Sequence, residues 1–387
     1  MKNKIIVSLI FVAVIAFSYG LLVGHYEIFP YSILSEIKNI SSEKESTERL
    51  QIYQDVSSVD KLISFNTISD IQNTRDLLNQ YIWNEPYLPN NLVSIHNYDI
   101  EDNISSKLNN LERIDSFTIE MNYEMNSIAY LFLAQDSKDK LIIYHQGHNA
   151  VSLNGFDNHS FDQDIPLIQN FLDRNYSVLI FSMPGKGMNN EPIITHEKFG
   201  TLKLNSHNHF ELIENSDFHP IRFFIEPVVL TLNQIENDYE FKKFSMIGLS
   251  GGGWTTLIVS AIDDRIQESF SIAGSFPIWL RSDTRDYGDY EQTIPEFYQI
   301  ANYEELYFLS DYGEERTLIL FYNEFDSCCF SGTLYNKFPF GNSIKSKLSE
   351  FEKSNFDVII DYGQIEHTIS DNTLNTITSQ IENNSSE

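Results

Sequence analysis

The chain is short of cysteine and of positive charge, and each shortage closes off a class of protein. Only two cysteines occur among 387 residues, and they are adjacent, Cys328 and Cys329. That excludes a disulfide-stapled scaffold, which needs several spaced cysteines, and equally a zinc site built on cysteine. Consecutive α-carbons lie about 3.8 Å apart across a trans peptide, below the usual disulfide span, so a bond between the two would be strained. Two packed thiols and a vicinal disulfide both stay open. Lysine and arginine number 26 against 55 aspartates and glutamates, a formal net charge of −29. A surface of that sign repels nucleic-acid backbones and anionic lipid, so no nucleic-acid partner is expected. Glycine (17) and proline (11) occur in ordinary amounts and no internal repeat is visible, which excludes collagen-like and low-complexity architectures.

What is present supports a sizeable packed core, with 42% hydrophobic and 13% aromatic residues. At the N-terminus Lys2 and Lys4 precede an uncharged run from Ile5 to Gly24, in which only Ser8 and Ser18 are strongly polar. The run is long enough to span a bilayer and exceeds the apolar core of a usual signal peptide. Residues 1–24 are therefore expected to be a transmembrane anchor, with cleavage near Ser18 and Gly20 as the alternative. Glu27, Glu36, Glu43 and Glu45 outnumber Lys38 and Lys44 beyond it, which puts the N-terminus in the cytoplasm and the rest outside.

Residues 25–60 read as a polar tether, and 61–113 as a mostly helical extension on the spacing of Ile68, Ile71, Leu77 and Leu78. After Ile114 the pattern sharpens. Phe117, Ile119 and Met121 alternate with polar residues, and a second strand from Ile128 to Leu133 completes a hairpin. Short apolar runs follow at Leu141 to Tyr144, Val178 to Phe181, Phe244 to Ile247, Phe270 to Ala273, Leu318 to Tyr322 and Val358 to Ile360. Such runs suit strands buried on both faces, and amphipathic stretches lie between them. The fold class is α/β, a mostly parallel central sheet with helices on both faces. Two intervals, 188–239 and 277–315, are too long for simple crossovers and are read as cap insertions. The first holds a helix from about Glu226 to Ile235, with Pro227 in its first turn.

The chemistry-bearing motif is Gly248-Leu249-Ser250-Gly251-Gly252, between the run Phe244 to Ile247 and the helical stretch Trp254 to Ala261. A serine at a strand-to-helix turn sits in a strained backbone conformation where side chains two residues before and after would collide, so glycine is needed at both. Amides at the helix N-terminus, beginning with Gly251, are placed to stabilise an oxyanion. No phosphate-cradling glycine motif is present at this turn.

Here the chain resembles the α/β-hydrolase superfamily, from the hairpin near Ile114 to the C-terminus. The resemblance implies a nucleophile, acid, histidine order. Asp326, in Asn323-Glu324-Phe325-Asp326 after the run Leu318 to Tyr322, matches the place of the acid, with Glu324 as runner-up. His367 matches the base, lies before a helix whose expected N-cap is Ser370, and is the only histidine after the candidate acid. The resemblance also implies a second oxyanion amide from Tyr144-His145-Gln146-Gly147-His148. Gln146 stands where glycine is usual, so Gly147 is preferred and His148 is the alternative. Met183-Pro184-Gly185-Lys186-Gly187-Met188 resembles a further turn of the family, with Lys186 a solvated loop residue.

His207-Asn208-His209, and His145 with His148, raise the question of a metal. No H-E-x-x-H or binuclear spacing supports one, so neither metal nor cofactor is expected. The reading implied is an extracytoplasmic serine hydrolase cleaving a carboxylic ester through an acyl-enzyme, with peptidase, thioesterase and a catalytically dead binding module as alternatives. Segment 277–315 carries Trp279, Tyr287, Tyr290, Phe297, Tyr298, Tyr303 and Tyr307 among Asp283, Asp286, Asp289, Glu291, Glu296, Glu304, Glu305 and Asp311. Read as an acidic, aromatic mouth, it favours a neutral small-molecule or glycan ester with a short acyl group over coenzyme A esters and anionic lipids.

Overall fold

The computed structural model of the protein describes residues 12, 17–19, 62–97, 107–148, 164–281, 283–352 and 355–384. The chain divides into two compact units, Met1–Val56 and Ser57–Glu387. In the first unit only residues 12 and 17–19 are described, all helical, so the expected anchor and tether lie almost wholly outside the described residues. No helix among the described residues is long and apolar enough to cross a membrane.

The second unit is built on a sheet whose strands are β1 (Ser94–Asn97), β2 (Leu111–Glu120), β3 (Asn126–Ala134), β4 (Lys140–His145), β5 (Ser177–Phe181), β8 (Lys243–Leu249), β9 (Ile266–Ile272), β10 (Thr317–Asn323) and β11 (Asp357–Asp361). A separate small hairpin pairs β6 (Ile193–His196) with β7 (Gly200–Lys203). The main sheet runs β1-β2-β3-β5-β4-β8-β9-β10-β11. Its first three strands pair antiparallel, while β5, β4, β8, β9, β10 and β11 run parallel. Both faces of β4 and β5 are buried, which is why they read as unbroken apolar runs. The two-residue period of the pleat sends Leu141 and Ile143 into one core and Ile142 and Tyr144 into the other. The first core is closed by helices α1 (Ile68–Trp83), α3 (Arg222–Asp238), α4 (Gly251–Ile262) and α6 (Tyr303–Asp311). The second is closed by α2 (Ile165–Leu172) and α9 (Asp371–Asn383). Shorter helices α5 (Pro295–Ile300), α7 (Gly332–Lys337) and α8 (Gly341–Ser349) complete the unit.

Three expectations need correction. Among its described residues the segment 61–113 holds one α-helix, α1, opened by a capping box between Thr67 and Asp70, but also β1, whose residues pair with β2. A four-residue edge strand carries too little pattern to be read alone; its ladder partner defines it. Helix α3 starts at Arg222, so Pro227 lies inside it. Buried Phe223, Phe224 and Ile225 extend its apolar face backward, and their packing offsets the missing proline amide.

The third correction concerns 277–315. Helix α6 packs against α4 over the sheet, so this part belongs to the body. Tyr290, Phe297, Tyr298, Tyr303 and Tyr307 are buried, as are Asp286, Glu291, Glu304, Glu305 and Asp311. Most of the acids serve as internal acceptors. Glu305 closes a capping box with Asn302 and accepts from the Ser64 hydroxyl at 2.6 Å. Asp286 accepts from the Phe330 amide at 2.6 Å, Asp311 from the Leu318 amide at 2.9 Å, and Glu304 from the Trp279 indole at 2.5 Å. The fully buried Arg281 guanidinium lies 4.5 Å above the Tyr303 ring. Charge density in the sequence therefore overstates the acidity of the surface here.

At the end of the sheet remote from the β8–α4 turn, Lys140 donates to Glu268 at 3.0 Å and to the carbonyl of Ile381 at 3.1 Å, with both charged side chains almost fully buried. Ser245 and Asn384 also donate to Glu268, so the pair joins β4, β8, β9 and the end of α9. Removing one partner strands the other charge. Lys140→Met is expected to destabilise the protein by about 3 to 5 kcal/mol, read from urea denaturation; an unchanged midpoint would show that the pair is dispensable.

Candidate active site

Between β8, ending at Leu249, and α4, beginning at Gly251, the chain turns on Ser250 at φ 57° and ψ −124°. A non-glycine residue holds positive φ only where its surroundings over-determine it. Here the Ser250 amide donates to the Ile272 carbonyl at 2.8 Å and the Ser250 carbonyl accepts from Trp254 at 3.0 Å. The neighbouring glycines leave no room for alternatives. A Cβ on Gly248 would collide with the Gly252 carbonyl, and one on Gly252 with the carbonyls of His145 and Gln146. Helix α4 therefore starts in backbone contact with the loop after β4.

That contact brings Gly147 to the serine. A Cβ on Gly147 would lie 2.9 Å from Ser250 Cβ and 3.6 Å from its Oγ. The amides of Gly147 and Gly251 have no hydrogen-bond partner among the described residues. Gln146, the departure from the glycine-rich loop, is turned inward. Its amide donates to Phe181 at 2.9 Å, its side-chain amide donates to Asp164, and its Oε1 accepts from Ser182 at 2.6 Å. The residue thus anchors the loop and leaves the next amide free. His148 lies over Gly251, where a Cβ would come 2.9 Å from its Cε1. His145 is buried, with Nδ1 2.9 Å from the Gln146 carbonyl, and burial lowers its pKa to about 4, so it is a neutral structural histidine.

Asp326 and His367 meet as the motif order implied. His367 Nδ1 lies 2.9 and 3.0 Å from the two carboxylate oxygens. Asp326 Oδ1 also accepts from the amides of Cys328 at 2.9 Å and Cys329 at 3.2 Å. Burial works to raise the carboxyl, but His367 and these two amides outweigh it and hold it below its ordinary value. Burial likewise works to lower His367, and its hydrogen bond and ion pairing with Asp326 outweigh that, leaving it raised. The supporting loops are zipped together: the amides of Phe325 and Ser327 donate to the carbonyls of Gln364 and Ile365 at 2.9 and 3.0 Å. Asn323, which sequence reasoning passed over, donates to Asp326, Glu366 and Thr368 and ties the acid to the histidine loop. Glu324, the runner-up acid, accepts from the Gly363 amide at 2.8 Å and makes no bond to His367. His367 Nε2 is buried without a hydrogen-bond partner among the described residues, and no hydrogen bond joins it to Ser250. Ser370 caps α9 as expected.

Both cysteines are free thiols. A hydrogen bond with Cys329 lowers the Cys328 thiol to about 6, while Cys329 is raised. Lys186 donates to the Asn205 carbonyl in an exposed loop and contacts no other site residue through an ion pair. A second cluster, absent from the sequence reading, joins His148 to His207, Asp289 and Glu291.

Neither a protein-family model nor a curated protein matches the chain. Solved structures do. An acetyl xylan esterase from Thermoanaerobacterium sp. is 13% identical over 84% of this chain and 96% of its own, with a TM-score of 0.54. A glucuronoyl esterase from Solibacter usitatus is 11% identical over 81% and 92%, with a TM-score of 0.54. An acetyl xylan esterase from Paenibacillus sp. is 12% identical over 84% and 98%, with a TM-score of 0.51. The chain has the α/β-hydrolase fold.

The contact between α4 and the β4 loop makes Gly252 a test of the turn. Gly252→Ala is expected to lose about 1 to 3 kcal/mol of stability through overpacking. Denaturation measures it, and a midpoint equal to that of the parent protein would contradict the backbone contact.

Proposed function

We propose that the protein is a serine hydrolase that cleaves a carboxylic ester through an acyl-enzyme. The observation that carries this reading is Ser250 held at positive φ between the unengaged amides of Gly147 and Gly251. Ser250 Oγ attacks the ester carbonyl while His367 Nε2 takes its proton. The two amides, with His148 as the alternative donor from the loop, hold the oxyanion. His367 returns the proton to the leaving alcohol, and water then repeats the sequence to release the acid. Asp326 keeps the His367 proton on Nδ1 and stabilises the imidazolium. Catalytic hydrogen bonds in unliganded enzymes are often long and tighten with substrate, which accommodates the open Ser250 to His367 approach. No cofactor takes part in these steps.

The substrate class is a neutral small-molecule or glycan ester. The names of the solved structures that share the fold, acetyl xylan esterase and glucuronoyl esterase, support a glycan ester. The net charge of −29 disfavours anionic substrates such as coenzyme A esters. Hydrolysis of 4-nitrophenyl acetate and of acetylated xylo-oligosaccharide tests the reading. Ser250→Ala is expected to abolish turnover in a folded protein, and full activity would reject the nucleophile. Asp326→Asn is expected to lower kcat by about 10⁴-fold. His367 serves as a base only when neutral, so with its pKa raised the acid limb of kcat/KM should fall above about 6.5. Asp326→Asn removes the carboxylate that raises it and should move that limb to lower pH. A limb that stays in place would remove Asp326 from the pair.

The catalytic unit works outside the cytoplasm, held at the membrane by residues 1–24. Lys2 and Lys4 before the uncharged run and the acids after it support this orientation. Protease added to intact spheroplasts should digest the unit. Protection in intact spheroplasts, with digestion only after lysis, would place it inside.

A further inference from the structure

Beside the oxyanion loop, and separate from the Asp326 to His367 pair, four side chains bring possible ligand atoms together. His148 Nε2 lies 2.9 Å from His207 Nδ1 and 3.1 Å from Asp289 Oδ2. His207 Nδ1 lies 3.4 Å from Glu291 Oε2 and 3.7 Å from Asp289 Oδ2, and His148 Nε2 lies 3.9 Å from Glu291 Oε1. Every pair among the four donor atoms is within 4.8 Å. Four ligands at zinc bond lengths in a tetrahedron stand about 3.3 Å apart, inside the range of these separations.

The hydrogen-bond pattern around the four side chains suits a cation. His207 is buried, and its Nε2 faces the Pro184 carbonyl at 2.9 Å. A carbonyl only accepts, so the ring carries its proton on Nε2 and, when neutral, offers a lone pair at Nδ1. Zinc-ligating histidines are commonly oriented by such a second hydrogen bond. Glu291 is fully buried, and neither carboxylate oxygen has a hydrogen-bond partner among the described residues. A proton on His148 Nε2 would satisfy Asp289 and His207 but leave Glu291 without a donor. Lys186, whose charge is felt by both His148 and Asp289, donates to the Asn205 carbonyl at 3.2 Å and forms no ion pair with either acid. Unpaired buried carboxylates are costly, and one bound divalent ion meets all four acceptors together.

We infer that His148, His207, Asp289 and Glu291 bind one zinc ion. Two imidazoles and two carboxylates suit zinc, whereas calcium and magnesium prefer oxygen sets with more ligands. With four protein ligands the site is closed, so its role is structural. It joins the loop after β4 to the 3₁₀ segment His207–Ile213 and to the turn that ends at Gln292. His148 follows Gly147 directly, so the ion fixes the loop that carries one of the two free amides beside Ser250. The inference stands apart from the esterase reading, because binding is measured without substrate.

The test uses the full chain, stripped with chelator and then titrated with zinc chloride by calorimetry, with metal content measured by mass spectrometry. One zinc per chain is expected, together with a rise in Tm that depends on zinc concentration. Calcium and magnesium chloride should bind far more weakly. Glu291→Gln and His207→Ala should each weaken zinc binding by at least about tenfold. His209→Ala, at an exposed neighbouring histidine, and Cys328→Ser with Cys329→Ser should leave it unchanged. Failure of the stripped parent protein to bind zinc would overturn the proposal whatever the variants do. So would zinc lost in the double cysteine variant but retained in a folded Glu291→Gln protein, which would move the ion to the cluster of Cys328, Cys329 and His367.

Discussion

The close backbone approach between Gly252 and the carbonyls of His145 and Gln146 is the contact on which the site depends. A Cβ on Gly252 would collide with both carbonyls, so α4 begins directly against the loop after β4. The turn between β8 and α4 is then too tight for ordinary backbone angles, and Ser250 takes up the difference at φ 57°. The same approach sets Gly147 against Ser250 Cβ and leaves two amides without partners among the described residues. Strain in one residue and missing side chains in its neighbours are thus parts of one arrangement. It persists because the parallel strands on either side are buried in two cores.

The acid and histidine obey a different constraint. They stand on loops after β10 and β11, neighbours at the edge of the sheet, and the pairing of those strands carries on into the loops through backbone hydrogen bonds. Asn323, the last residue of β10, extends the ladder with its side chain. His367 is therefore positioned by backbone as well as by its ion pair. Its Nε2 is buried and has no hydrogen-bond partner among the described residues.

Much of this was legible in the sequence, for a physical reason. Strands buried on both faces are largely apolar, so β4, β5 and β10 announce themselves as short unbroken runs. The glycines at 248 and 252 are legible because the collisions that require them are local. Asp326 and His367 were reached through the order that the family resemblance implies. What escaped were features defined by distant partners. The edge strand β1 exists through β2, and α3 begins early because Phe223 and Phe224 find a core. The acids of 277–315 looked like surface charge, yet Glu305 and Asp286 accept from a hydroxyl and an amide far along the chain. Asp289 and Glu291 lie more than eighty residues beyond His207, so no spacing rule could have grouped them.

An activated nucleophile at Ser250 reacts where a glycine-flanked turn residue does not. Reaction of the full chain with a fluorophosphonate, followed by digestion and peptide mass spectrometry, tests it most directly. One stoichiometric adduct on Ser250 is expected, which the amides of Gly147 and Gly251 would stabilise as they would an oxyanion. A folded protein that takes up no adduct, or that carries it on another residue, would contradict it.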